Sequence, residues 1–241
     1  MRLLVVNADD FGLSAGVNAG IVEAHEHGIV TSASLMVLHP AADSAAAYAR
    51  AHPRLGLGLH VDLGEWYFRD GQWHALYERV PPHDQAAVEG EVHHQIERFR
   101  SLLGHDPGHL DSHQHVHRRE PAAAVLGALA RRFGVPLRGA GRIAFRGDFY
   151  GQTDAGEPLP DRVSVEAALA LFDTLPQGAT EMACHPGLVG DDDPLGGTMY
   201  RSARRAEVAV LCDPRLREGL ARRGIELATF AQAAQALRVA W

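Results

Sequence analysis

Residues 109–117 read His-Leu-Asp-Ser-His-Gln-His-Val-His, with four histidines and one aspartate on alternate positions. In an extended segment, side chains two apart point to the same face. His109, Asp111, His113, His115 and His117 would then share one face, and Leu110, Ser112, Gln114 and Val116 the other. Neutral imidazole is the commonest protein ligand for a transition metal. Carboxylates from a second segment would complete a divalent-metal site. One histidine in such a place reads as a solvated side chain; five polar groups in phase read as a site.

Three more clusters follow apolar runs. Leu3–Val6 ends at once in Asn7-Ala8-Asp9-Asp10-Phe11-Gly12, His60 lies near the end of Leu55–Leu63, and Ala179–Cys184 delivers His185-Pro186-Gly187. Acids at the end of a buried strand are poor packing residues, and the carboxyl ends of strands are where α/β folds build active sites. A catalytic metal typically has three protein ligands and an open position. Hydrolysis also needs a base for the water proton and an acid for the leaving group. One Asp and two His as ligands leave one Asp and one His over. The count suits metal-assisted hydrolysis without saying which residue plays which part.

The elements between these clusters must position them. Short apolar runs read as strands at Leu3–Val6, Thr31–Leu38, Leu55–Leu63, the histidine stretch, Val135–Arg138, Ala179–Cys184 and Ile225–Ala228. Helical patterns separate them: Ser14 to about His27 with a serine cap, Pro40–Ala51, Gln85–Leu103, Pro121–Phe133, Ser164–Leu175, Ala203–Cys212, Asp213–Arg222 and Phe230–Leu237. Strands alternating with helices imply a parallel sheet with helical crossovers. Polar clusters after four of about seven strands favour a closed or nearly closed (β/α) barrel over an open sheet, because a barrel converges those ends on one mouth. Gly64–Val80 reads as a loop or short hairpin whose Trp66, Tyr67 and Trp73 are either core or an aromatic wall for a flat-faced ligand. Gly139–Pro160 reads as a loop over the same mouth.

Composition bounds the rest. The chain has 241 residues, 46% hydrophobic and 22% charged, which suits one globular domain over 1–241. No repeat or linker divides it. A net charge of −7 argues against nonspecific nucleic-acid binding. Two cysteines make no disulfide framework. The apolar run at the start is too short for a signal peptide, and no stretch approaches the ~20 apolar residues of a membrane span. The expectation is a cytoplasmic protein, and a homodimer is compatible with it.

The four motifs together resemble the YdjC-like family of carbohydrate deacetylases, which includes chitooligosaccharide deacetylase and the hopanoid-biosynthesis deacetylase. They run in the family's order from residue 7 to 187. The resemblance implies a TIM-barrel-like fold related to polysaccharide deacetylases, one divalent ion (magnesium or zinc), and removal of an N-acetyl group from an amino sugar. It implies Asp10, His60 and His113 as metal ligands, Asp9 as general base, and His185 as general acid or stabiliser of the tetrahedral intermediate. Asp111, His115 and His117 within the motif, and Trp66 and Tyr67 from the aromatic segment, which matches no family pattern, would contact substrate or orient the ligands. Asp9 and His185 are expected on different sides of the ion, with room for an acetyl group between them. Competing readings are a metal-dependent hydrolase of another amide, ester or phosphate, and a catalytically silent metal- or sugar-binding module; Asp9 and His185, both present, argue against the silent module.

Overall fold

The ten-residue strand β1 (Arg2–Phe11) is the axis of the sheet, and every residue from Leu3 to Phe11 is buried. Both faces are covered, as a parallel strand between helical layers requires. The fold is a computed structural model, described here for residues 1–190, 193, 195 and 198–237. On one edge β1 pairs with β8 (Gly178–Cys184), from Arg2↔Gly178 to Ala8↔Cys184. On the other edge it holds two short strands in succession: β9 (Ile225–Leu227) against Arg2–Leu4, then β2 (Ser32–Leu35) from Asn7 onward. β3 (Gly56–Val61) and β6 (Leu110–Ser112) continue beyond β2, and β7 (Ile143–Arg146) lies beyond β8. All six pairings in this sheet are parallel.

The expected barrel of seven parallel strands is therefore present as a curled sheet. Among the described residues no strand pairing joins β7 to β6, so it stays open at that seam. Leu137 makes a single parallel bridge to Leu110 there. The expected strand at 135–138 shrinks to that bridge, and the seventh strand forms instead inside the stretch read as loop, at Ile143–Arg146. Pro136 and the following Gly139 and Gly141 limit the first segment. Residues 143–146 gain their order from pairing with β8, which is a tertiary effect.

The helices α1 (Ala15–Glu26), α2 (Ala42–Ala51), α3 (Gln85–Leu103), α4 (Ala122–Phe133), α5 (Val165–Asp173), α6 (Ala203–Leu211), α7 (Pro214–Arg222) and α8 (Phe230–Leu237) fall close to the sequence pattern. Ser14, Asp84, Ser164 and Asp213 cap α1, α3, α5 and α7, each accepting a backbone N–H of the first turn. Gly20 lets α1 lie directly on the chain after His185: a Cβ there would sit 2.3 Å from the Gly187 Cα. No described helix is long and apolar enough to cross a membrane. The aromatic segment is a separate antiparallel hairpin, β4 (Gly64–Arg69) and β5 (Gln72–Glu78).

Candidate active site

Asp9 and Asp10 are neighbours on β1, and strand alternation alone would send them to opposite faces. Asp10 escapes the alternation because its backbone is left-handed, with φ 67°, where the register with β2 shifts. Aspartate tolerates that region better than most residues, and such strain gathers at functional sites. Both carboxylates consequently reach the carboxyl end of the barrel, with exposures of 2% and 1%.

The histidine stretch is not one extended face. β6 ends at Ser112, and His113–Arg118 form a 3₁₀ turn with Gln114 and His115 at φ 46° and 55°. The five polar groups scatter as a result. His109 leaves the site: its Nε2 bonds Ser34 Oγ, and its ring stacks on Phe230. Asp111 stays in the barrel interior. His113 swings toward Asp10, His115 lines the cavity beside Phe145, and His117 folds back onto Ser112 Oγ at 2.6 Å.

Asp10 Oδ1 faces two imidazole nitrogens, His60 Nε2 at 3.4 Å and His113 Nδ1 at 3.2 Å. These atoms form a group that could hold a metal ion. Tetrahedral ligands with bonds of about 2.1 Å stand about 3.4 Å apart, so the observed spacing fits. Two of the three ligands also have their far atom engaged. His60 Nδ1 donates to Asp111 Oδ1 at 2.7 Å, which leaves Nε2 as the lone-pair nitrogen. Arg204 Nη2 donates to Asp10 Oδ2 at 2.6 Å, which leaves Oδ1 turned toward the two imidazoles. A second grouping, Asp9, His60 and Asp111, is geometrically close. There the Arg138 guanidinium already bonds both carboxylates, so the cation's place is taken.

The electrostatics favour a cation beside Asp10. Burial opposes charge on Asp10, but Arg204 and the two imidazoles hold its carboxyl well below the usual range. Burial also opposes charge on His60, yet the Asp111 and Asp9 carboxylates outweigh it and raise its pKa to about 9. A pocket that draws a proton onto an imidazole offers a divalent cation the same surplus of negative charge.

Asp9 is gripped through both oxygens by Arg138, whose Nε in turn donates to Glu181 at 2.6 Å. His185 follows β8, with its backbone N–H bonded to Glu207 and its ring packed against the stacked pair of Tyr150 and Tyr200. Burial lowers its pKa to about 4, so the imidazole is neutral near pH 7. His185 Nε2 lies 3.6 Å from Asp9 Oδ2. The expected placement on opposite sides is not found; the two are neighbours, with no space for an acetyl group between those atoms.

A cavity of about 860 Å³ opens above these groups, lined by Trp66, Trp73, Phe145, Phe149, Tyr150 and Met199 among others. Trp66, Trp73 and parts of 139–160 therefore border the mouth as expected. Tyr67 does not line it and stacks on His74 across the hairpin. Sequence reading missed Arg138, Glu181, Arg204, Glu207 and Glu65. Glu181 had a signal, a lone acid inside the apolar strand Ala179–Cys184. The two arginines had none, since an arginine at the end of a short strand or in a helix is ordinarily solvated.

Comparison with known proteins bears on the family and the fold. The family model described as YdjC-like protein matches residues 3–222. A carbohydrate deacetylase of Geobacillus stearothermophilus is 38% identical, covering 95% of this chain and 97% of its own. A chitooligosaccharide deacetylase of Klebsiella pneumoniae (strain 342) is 35% identical, with 95% and 98% covered. A solved structure from Enterococcus faecalis V583, described as a proposed cellobiose-phosphate cleavage protein, superposes with a TM-score of 0.78 at 28% identity, covering 95% of this chain and 98% of that one. A family 4 carbohydrate esterase of Streptomyces lividans shares the fold, with a TM-score of 0.56 at 12% identity over 94% and 92% of the two chains. The chain belongs to the YdjC-like family.

Proposed function

We propose that the protein is a metal-dependent carbohydrate deacetylase that removes the N-acetyl group from an N-acetylated amino sugar. The observation that carries this reading is one carboxylate oxygen, Asp10 Oδ1, facing His60 Nε2 and His113 Nδ1 beneath an aromatic-walled cavity, with Asp9 and His185 beside it. The names of the 38% and 35% identical relatives support the substrate class. The thiols Cys184 and Cys212, left free, suit a reducing cytoplasm.

Asp10, His60 and His113 would hold the ion. Two imidazoles and one carboxylate suit zinc better than magnesium. Once bound, a divalent ion supplies Lewis acidity to the acetyl carbonyl and lowers the pKa of water. Asp9 is kept ionised by Arg138 and acts as the base that takes the water proton. His185, neutral at rest, carries a proton to the departing sugar nitrogen; its closeness to Asp9 gives that proton a short path. Trp66 and Trp73 offer ring faces to the apolar faces of a sugar, while Asp111 and His117 orient their neighbours from within the protein.

The test is acetate release from N,N′-diacetylchitobiose and a panel of other N-acetylated sugars, with zinc or magnesium added and metal content measured. Acetate release is expected. A metal-loaded protein that frees no acetate from any of them, yet hydrolyses a phosphate or another amide, would overturn the reading. No feature of the site favours those alternatives: the base and the acid candidate are both present, and with Arg138 on Asp9 and Asp111 the remaining group, Asp10, His60 and His113, serves one ion.

A further inference from the structure

We propose that Glu65 is a positioning residue for the metal site: its buried carboxylate steadies the His113 ring through Nε2 and so ties the aromatic hairpin to ion binding. The inference rests on the reading of His113 as a ligand.

Glu65 is 5% exposed, an unusual state for a carboxylate unless it is partnered. Its Oε2 lies 3.8 Å from His113 Nε2. That nitrogen is buried and has no hydrogen-bond partner among the described residues, while Nδ1 of the same ring faces Asp10. His60 shows the same arrangement in finished form, one ring nitrogen toward Asp10 and the other donating to a buried carboxylate. A carboxylate behind a ligating imidazole fixes its tautomer and orientation and raises its basicity. A shift of under about 1 Å would bring Glu65 within hydrogen-bond distance of Nε2.

Glu65 does not belong to the barrel. It is the second residue of β4, next to Trp66 at the cavity wall. The side-chain amide of Gln114 clamps both backbone groups of Trp66: Trp66 N–H donates to Oε1 at 3.0 Å, and Nε2 donates to the Trp66 carbonyl at 2.7 Å. Residues 65 and 66 are thus docked onto residues 113 and 114. At the root of the hairpin, Asp62 Oδ2 accepts from Tyr77 and Arg79, and Oδ1 accepts from the Gly64 N–H. A hairpin seated this firmly at its root places Glu65 behind His113.

The experiment is zinc titration calorimetry on full-length wild type, Glu65→Ala, Glu65→Gln, His113→Ala and the Glu65→Ala/His113→Ala double variant, with no catalytic readout. Glu65→Ala should weaken zinc binding about 10–100-fold. Glu65→Gln keeps an acceptor oxygen and the side-chain volume, and should recover most of that loss. In the His113→Ala background, removing Glu65 should cost nothing further, because its partner is gone. Unchanged affinity in Glu65→Ala overturns the proposal, and so does an additive loss in the double variant, which would mark Glu65 as acting directly on the ion. Wild-type affinity in His113→Ala would sink the ligand reading itself, whatever Glu65 does. Should Glu65→Ala not fold, Gln114→Ala at an exposed position loosens the docking with Glu65 intact. A several-fold weaker affinity is then expected, and no change refutes the coupling.

Discussion

Arg138 donates from Nη1 and Nη2 to the two carboxylate oxygens of Asp9, each at 2.6 Å. The same guanidinium reaches Asp111 at 2.8 Å and Glu181 at 2.6 Å, so one buried cation organises three acids. Burial alone would raise the Asp9 pKa, and Arg138 more than reverses that. Glu181, farther down the barrel, is pushed by burial to about 7 despite the arginine.

A lysine cannot reproduce this fork, because it offers a point charge where Asp9 needs two parallel donors. Arg138→Lys should retain the ion and lose roughly 10–100-fold in deacetylation rate through a misaligned Asp9. Arg138→Ala strands three buried acids and should cost about 3–5 kcal/mol in urea unfolding. Asp9→Asn keeps the shape and removes the base. It should keep the ion and lose roughly 10²–10⁴ in rate; loss of the ion instead would make Asp9 a ligand.

The three ligands make a separate prediction. Asp10→Ala, His60→Ala and His113→Ala should each lower zinc content after dialysis against metal-free buffer. Asp10→Ala carries an added cost, since it leaves Arg204, itself 1% exposed, without its carboxylate partner. Asp10→Asn separates the two effects: it keeps an acceptor for Arg204 while weakening the metal. Full zinc occupancy in all three alanine variants would remove the assignment.

Much of this was legible in the chain. The alternation of strands and helices, the helix caps and the four strand-end clusters follow from local pattern and hold in the structure. The positions of Asp10 and His113 follow from backbone turns at Asp10, Gln114 and His115 that no periodicity announces. A reading of strict alternation therefore kept His109 on the ligand face, and it brought Asp9 and Asp10 together by their place at a strand end, without the backbone turn that aims both side chains there. The arginines were out of reach for another reason. Arg138 and Arg204 lie 129 and 194 residues from their aspartate partners, and only the closed-up fold makes those pairs.

His109, outside the site, gives a clean pH effect. Burial between Ser34 and Phe230 lowers its pKa to about 4, below the unfolded value near 6.5. The unfolded chain therefore binds the extra proton first as pH falls. The stability from keeping His109 neutral is fully present above about pH 6.5 and is lost as pH drops toward 4. A shift of that size corresponds to about 3 kcal/mol. Urea unfolding of wild type should weaken between pH 7 and pH 4.5, and His109→Gln should flatten that slope. An identical slope in the variant would refute the assignment.

His185 bears on the chemistry itself. Amide hydrolysis expels a poor leaving group, so the sugar nitrogen must gain a proton as the carbon–nitrogen bond breaks. The His185 ring packs against the stacked pair of Tyr150 and Tyr200 at centroid distances of 5.0 and 5.2 Å, and its Nδ1 has no hydrogen-bond partner among the described residues. It is neutral at rest and adjoins Asp9, so it can receive a proton and pass it on. His185→Ala should keep zinc binding and sugar affinity and lose roughly 10²–10⁴ in the rate of N-deacetylation. On 4-nitrophenyl acetate, whose leaving group departs without a proton, the same change should cost far less. Equal losses on the amide and the activated ester would contradict the acid role. They would instead show the imidazole acting on the tetrahedral intermediate, whose charge both substrates share.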